Sequence, residues 1–449
     1  MRMRATRLPF LLLALALAAA PGCDSPSAAP PGEPGRYDVS WLKQRAAPFG
    51  TDAPGGDPSE LAPLGRMVGD ARMVALGEAT HGTREFFRMK HRVLEYLVKE
   101  KGFDTFAIEA SWAECERIND YVHGAPGDPR KLLSAQRFWT WNTQEVLDMI
   151  EWMRRHNQNP GGAPKVSFRG FDMQYSRLAM DDVEAFVGRV DPAALPAIRA
   201  HYTCFRRFEE GVDGPRPLDY SKAPAEERDA CLRGILAAYA QLEAARDRYV
   251  RASSAAEYAR ALRAARVVVQ SEELLRGVSQ ARDAHMAENA AWLLEQAGPG
   301  ARVVLWAHNG HVANQNLMMG SYLRRWLGSS YVVVGFTFDR GTLNAIVRPL
   351  TGGPSNLRSA VALPAQPGSY EYEFERLGLP RFILDVRPLR DSPPASAAWM
   401  RGPLEMRNVG ALYMESASYG FAPTRLPALY DVMIHFSETS ASTLLPFVR

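Results

Sequence analysis

Met73-Val74-Ala75-Leu76-Gly77-Glu78-Ala79-Thr80-His81-Gly82-Thr83 is the stretch that decides the fold: an apolar run that breaks at a glycine and at once delivers a carboxylate and an imidazole. The run reads as a buried strand. Residues 84–99 follow, with Phe86, Phe87, Val93, Leu94, Leu97 and Val98 spaced close to the 3.6-residue period of a helix. Gly102 ends that helix, and Thr105-Phe106-Ala107-Ile108 is the next strand, terminating at Glu109. Strand, helix and strand make a βαβ unit with a right-handed crossover. The expected class is therefore α/β, a mostly parallel central sheet flanked by helices. In such open sheets ligands bind at the carboxyl ends of the strands, where Glu78, His81 and Glu109 stand.

Outward from this unit the alternation continues. Helices are expected over 112–122 and 143–157, the second with Thr143 as its N-cap, and a strand over 166–170 leads into Phe171-Asp172. From about 176 to 298 Ala, Arg, Leu and Glu dominate and helical periodicity persists, which predicts a helical insertion between two strands of the sheet. Its last helix carries Arg282-Asp283. The strand 302–306 then resumes the sheet and delivers a second signature, Ala307-His308-Asn309-Gly310-His311. A helix near 316–327 and a strand over 331–337 follow. Beyond Gly341 the segments are shorter and strand-like, as at 381–386 and 431–435.

With 449 residues the chain suits one large domain with an insertion, or two domains. Hydrophobic residues at 46% and charged residues at 23% are ordinary globular values and rule out disorder as the main state. Arg2, Arg4 and Arg7, then an apolar run from Leu8 to Ala20, then Ala20-Pro21-Gly22-Cys23, have the layout of a signal peptide over residues 1–22. The run is shorter than the about 20 apolar residues that span a bilayer. Cys23 stands where bacterial lipoproteins carry the lipidated cysteine, and a multiply acylated terminus anchors a protein stably in a membrane. Residues 23–37 read as a flexible tether and 38–449 as the catalytic domain. The expectation is an exported, periplasmic or cell-envelope lipoprotein. Removing residues 1–22 takes away three arginines and no acid, so Lys plus Arg falls from 53 to 50 and matches the 50 acids. A neutral chain without a basic stripe is a poor partner for nucleic acid. Cys204 and Cys231 are either a disulfide of an oxidising compartment or two unrelated thiols, and Cys115 reads as a small buried filler.

Histidine exchanges protons near neutrality, and a carboxylate such as Glu78 or Glu109 can orient the ring of His81. That combination activates water without a covalent intermediate; the plainer alternative is a histidine hydrogen-bonded at a strand end. His308 and His311 have a spacing that also occurs in metal sites. Two uses stay open: a divalent-metal shell with His81 and Glu109, or hydrogen-bond donation to the carbonyl and oxyanion of an ester. Glu109 has a structural alternative in a salt bridge with Arg84, Arg88 or Arg282, as Asp283 has with Arg282. Trp139 and Trp141 either pack or contact a large apolar substrate. A Gly-x-Ser-x-Gly elbow and a Gly-rich phosphate loop are both missing, which ranks nucleophilic Ser or Cys readings low.

Leu76-Gly-Glu-Ala-Thr-His-Gly-Thr with Glu85-Phe86, Gly102-Phe103 with Ile108-Glu109, Trp141-Asn-Thr-Gln-Glu145, Gly170-Phe-Asp-Met173, Arg282-Asp283 with Met286 and Asn289, and Trp306-Ala-His-Asn-Gly-His311 together resemble the erythromycin esterase family over roughly residues 40–445. The resemblance implies an α/β core with a helical insertion and a deep cleft, and hydrolysis of the macrolactone ester of macrolides. By motif it makes His81 the general base, has Glu78 and Glu109 hold or polarise it, and lines the same pocket with His308 and His311. Arg84, Trp141 and Asp283 become the substrate-binding residues. No cofactor and no metal are expected, with a metal-assisted hydrolase on His81, Glu109, His308 and His311 as the alternative and a catalytically inactive surface binding lipoprotein as another. The expected partner is a small-molecule ester or macrolactone, either an antibiotic detoxified outside the inner membrane or another native ester. Oligomeric state is not legible.

Overall fold

The computed structural model describes residues 37–209, 219–278, 280–350, 353–414, 416 and 419–448. The signal segment 1–22, Cys23 and the tether up to residue 36 lie outside the described residues.

Four short strands build one half of a sheet: β1 (Met73–Leu76), β2 (Thr105–Ser111), β3 (Ser167–Asp172) at its edge and β4 (Val303–Trp306). They are joined by β5 (Tyr331–Arg348), β6 (Asn356–Ala362), β7 (Arg381–Asp385) and β8 (Val432–Thr439). Along the sheet the order is β7-β8-β5-β1-β4-β2-β3, with the Ala47–Pro48 pair outside β7. Every neighbouring pair from β8 to β3 is parallel, and β7 runs antiparallel to β8. The class is α/β with a mostly parallel sheet, as the βαβ unit implies.

Because both faces are covered, the central strands are apolar on both sides. Val74, Leu76, Val304 and Trp306 face Phe86, Phe87, Val93 and Leu97 of the helix Arg84–Lys101. Met73, Ala75, Val303 and Leu305 belong to the other core, shared with the inserted helices. Those helices, Arg177–Val190, Leu195–Glu209, Ala225–Ala244, Arg246–Ala252, Ala255–Leu275 and Ala281–Gln296, occupy the chain between β3 and β4.

Thr143 caps its helix by accepting the Val146 N–H at 3.3 Å. The helix expected from residue 316 starts at Met319 instead, after a short turn of helix at Asn309–Val312. The larger departure is β5, which runs to Arg348 rather than stopping near Thr337. Gly341 looks like a terminator in the sequence but sits inside the strand at φ +136°, where a Cβ would lie 1.9 Å from the Thr439 carbonyl oxygen. Past it, Leu343, Ala345 and Val347 resume a period of two and are buried. This second half pairs antiparallel with β6 and parallel with Leu412–Met414.

Cys204 and Cys231 are bonded, tying the helix Leu195–Glu209 to the helix Ala225–Ala244 with Cα atoms 5.0 Å apart, and Cys115 is buried and free. The bond closes a loop of 27 residues, for which chain entropy gives about 2–4 kcal/mol. Reduction, or Cys204→Ala with Cys231→Ala, is expected to lower stability by that amount in a urea melt; an unchanged midpoint would contradict it.

Candidate active site

The β1 strand ends at Leu76, and after Gly77 the residue Glu78 points its carboxylate into the protein with no exposed surface. Three donors surround it. His81 Nδ1 lies 2.6 Å from Oε1, while Lys90 Nζ and Trp306 Nε1 donate to Oε2 at 2.5 and 2.8 Å. Lys90 comes from the helix Arg84–Lys101, on the same apolar stripe as Phe86, Phe87, Val93 and Leu94. It is fully buried, 4.3 Å from the centre of the Trp306 ring. Burial pulls its pKa down to about 8, against the pull of Glu78 and Glu109 in the other direction.

Glu109, inside β2, anchors the second half of the site. Its Oε1 accepts from Arg282 Nη2 at 2.8 Å and its Oε2 from the His308 backbone N–H at 3.0 Å. Burial alone would raise its pKa, but His311, Arg282, His81 and the His308 amide outweigh it and hold the carboxyl far below its usual range. Arg282 also grips Asp172 at the end of β3 with two nitrogens, at 2.6 and 3.2 Å. Such bidentate, charge-assisted pairing fixes a guanidinium plane.

His311 is bracketed by acids. Its Nδ1 is 2.8 Å from Asp283 Oδ1 and its Nε2 is 3.4 Å from Glu109 Oε1. Burial lowers its pKa, Glu109 and Asp283 raise it, and the net shift is upward. Asp283 Oδ1 also accepts the Met319 N–H at 2.9 Å, at the start of the helix Met319–Leu327. His308 is set differently. Its Nδ1 accepts the Gly310 N–H at 3.2 Å, which leaves the ring proton on Nε2, a buried atom without a well-aligned hydrogen bond. Burial, with His81 and His311 nearby, keeps its pKa well below the usual histidine value, so the ring is neutral.

The fold thus brings Glu78, His81, Glu109, His308, His311 and Asp283 together. The rings of His81 and His308 are 5.1 Å apart, and those of His308 and His311 6.4 Å. Glu109 takes Arg282 as its arginine, while Arg88 pairs with Asp52. Asp283 binds His311 rather than Arg282. Arg84 stands apart, half exposed, with Nε 3.6 Å from Glu145. Trp141 is buried: its indole N–H donates to the Glu109 carbonyl at 2.9 Å and its ring meets His81 edge-on at 5.5 Å. It therefore supports His81 from behind. Lys90, Trp306 and the Arg282–Asp172 pair complete the site. Among the described residues no group of three or more His, Cys, Asp or Glu side chains is arranged to hold a metal ion. Within the expected set, the Arg282 guanidinium stands 3.3 Å from His311 Nε2, a position that repels a cation.

The family model for erythromycin esterase matches residues 98–439. This chain belongs to the erythromycin esterase family. Among the relatives of the family member described here is an Escherichia coli protein named erythromycin esterase type II, 24% identical, with the alignment covering 68% of this chain and 78% of that protein. Among solved structures, a Bacillus cereus protein superposes with a TM-score of 0.77 at 26% identity, over 91% of this chain and 98% of that one. An erythromycin esterase mutant in its open conformation gives 0.67 at 17% identity, over 88% and 96%, a likeness of fold. Family membership supports a hydrolase.

Proposed function

We propose that the chain hydrolyses a carboxylic ester, a macrolactone being one candidate, with water activated by His81. The observation that carries this is the 2.6 Å contact between His81 Nδ1 and Glu78 Oε1. A carboxylate beside Nδ1 accepts the hydrogen bond of the ring N–H, which holds the proton on that nitrogen and leaves the Nε2 lone pair free to accept one. As water adds to the ester carbonyl, its proton passes to His81 Nε2. The oxyanion that forms needs a donor already in place, because such preorganised dipoles act most strongly in a dry site. His308 Nε2–H, neutral and buried, is that donor. When the tetrahedral intermediate collapses, His81 returns the proton to the departing alkoxide, giving an acid and an alcohol. Glu109, Arg282 and His311 form a fixed charged wall beside these steps.

The test is mass spectrometry of macrolides and diverse lactones incubated with wild type, with His81→Ala, and with wild type plus chelator. Gain of one water in both wild-type samples and none with His81→Ala is expected. Hydrolysis that survives His81→Ala would sink the reading, and hydrolysis abolished by chelator and restored by Zn²⁺ would favour a metal-assisted reaction.

Lys90 supplies a pH dependence. Below about 8 its ammonium balances the buried Glu78 carboxylate, and above that value the charge is lost. The expected profile of kcat/KM therefore falls as pH rises through about 8. Lys90→Arg, which keeps its proton, is expected to move this limb upward, and Lys90→Met to remove it and lower the plateau.

A further inference from the structure

Away from the histidines, the inserted helices Ala225–Ala244, Arg246–Ala252, Ala255–Leu275 and Ala281–Gln296 enclose a cavity of about 210 Å³. None of its lining residues belongs to the catalytic set. Three arginines, Arg246, Arg263 and Arg266, line it against a single acid, Glu288. That acid is already engaged: Oε1 accepts Arg263 Nη1 at 2.9 Å and Arg266 Nε at 3.1 Å, and Oε2 accepts Arg266 Nη2 at 2.9 Å. Two guanidiniums therefore share one carboxylate. Glu273, the other acid acting on Arg266, is held by His285 Nε2 at 2.6 Å. Glu243 and Asp247 are exposed and form no part of the lining.

Arg263 shows what the cavity lacks. Its Nη1 serves Glu288 and, at 3.1 Å, Asn289 Oδ1, and the guanidinium lies over the Trp292 ring, 4.9 Å from the centre. Nε and Nη2 have no acceptor among the described residues, yet neither atom is sealed off, in a side chain only 11% exposed. Those two nitrogens form one edge of the guanidinium, the edge that grips a carboxylate through two parallel hydrogen bonds. The Tyr239 hydroxyl, also in the lining, has no hydrogen-bond partner among the described residues either. Much of the remaining wall is apolar, from Val250, Tyr258, Leu262 and the Trp292 ring.

We propose that this cavity binds a small organic carboxylate, with its charge on the free edge of Arg263 and a compact apolar body against Tyr258, Leu262 and Trp292. The charge excess calls for an anion, the two-nitrogen edge for a planar one, and the apolar wall for a body that an inorganic anion lacks. The volume sets the size, since drug-sized ligands occupy pockets of about 300–1,000 Å³. This site is separate from the proposed hydrolysis and stands or falls without it.

The test is calorimetric titration of the protein with benzoate, with benzamide, which keeps the ring and loses the charge, and with inorganic phosphate, which keeps charge and loses the ring. Benzoate is expected to bind one per chain, about tenfold tighter than either. Arg263→Gln is expected to weaken benzoate about tenfold and Tyr239→Phe about threefold, while His81→Ala leaves it unchanged. Tyr239→Phe removes only an unpartnered hydroxyl, so it keeps the test decisive should Arg263→Gln fail to fold in a thermal melt. Absence of benzoate binding, benzamide binding as tightly, or affinity untouched by both cavity variants would overturn the proposal. Phosphate binding as tightly would reduce the cavity to a site for inorganic anions and overturn the apolar body. Binding lost in His81→Ala but kept in Arg263→Gln would place benzoate among the catalytic histidines and overturn it as well.

Discussion

Replacing His81 by alanine is expected to lower kcat/KM for ester hydrolysis by about 10²- to 10⁴-fold, the contribution of a positioned general base. The fold should survive. Glu78 loses one of its three donors but keeps Lys90 and Trp306, and the gap opens where the His81 side chain is already 12% exposed, so water can replace it. The stability cost should stay within the about 1–3 kcal/mol of one unsatisfied buried acceptor. Steady-state kinetics and a thermal melt on the same preparation separate the two effects. A folded variant that keeps wild-type activity would remove His81 from the role of base.

Arg282→Met should strike stability harder. The arginine is the cation shared by two buried carboxylates, Glu109 and Asp172. Removing one partner of a buried pair costs about 3–5 kcal/mol, since the remaining charge is left without compensation. The penalty has a definite pH dependence. In the wild type Glu109 ionises far more readily folded than unfolded, so it stabilises fully above its unfolded pKa and that contribution is lost as pH falls toward the folded value. Without Arg282 the folded pKa rises, so acidification lets Glu109 take up a proton and relieves the variant. Urea melts of the two proteins should therefore differ most at neutral pH and converge on acidification. A gap that widened on acidification would show that Arg282 acts by some means other than its charge.

Much of the site can be read from the chain because two of its strands are brief and wholly apolar. Met73–Leu76 and Val303–Trp306 each end abruptly in polar residues, so the imidazoles fall at the carboxyl edge with no further information. Lys90 was available in the same way. It sits three and four residues after Phe87 and Phe86 and before Val93 and Leu94, and a lysine on an apolar stripe needs a buried anion. The Arg282–Asp172 pair was not available: 110 residues separate its members, and no local period links them. Trp141 reads equally well as a substrate platform or as packing, and only the three-dimensional position of Glu109 behind it decides. The long β5 was hidden by Gly341, whose usual meaning as a stop gives way here to the close approach of Thr439.

The residues Arg282 and Asp283 are neighbours in the first turn of the helix Ala281–Gln296, yet between them they hold Glu109, Asp172, His311 and the Met319 amide. The helical insertion is therefore two things under one name. Its outer helices supply apolar side chains to the core beneath the sheet, and Gln270 and Arg266 among them hold Asn289 and Glu288 of the final helix, each at 2.9 Å. Its final helix is the means by which a segment more than a hundred residues long returns a charge to the spot the sheet requires. Any shortening of the insertion would have to spare both that last helix and the apolar side chains that the other helices lay against the sheet.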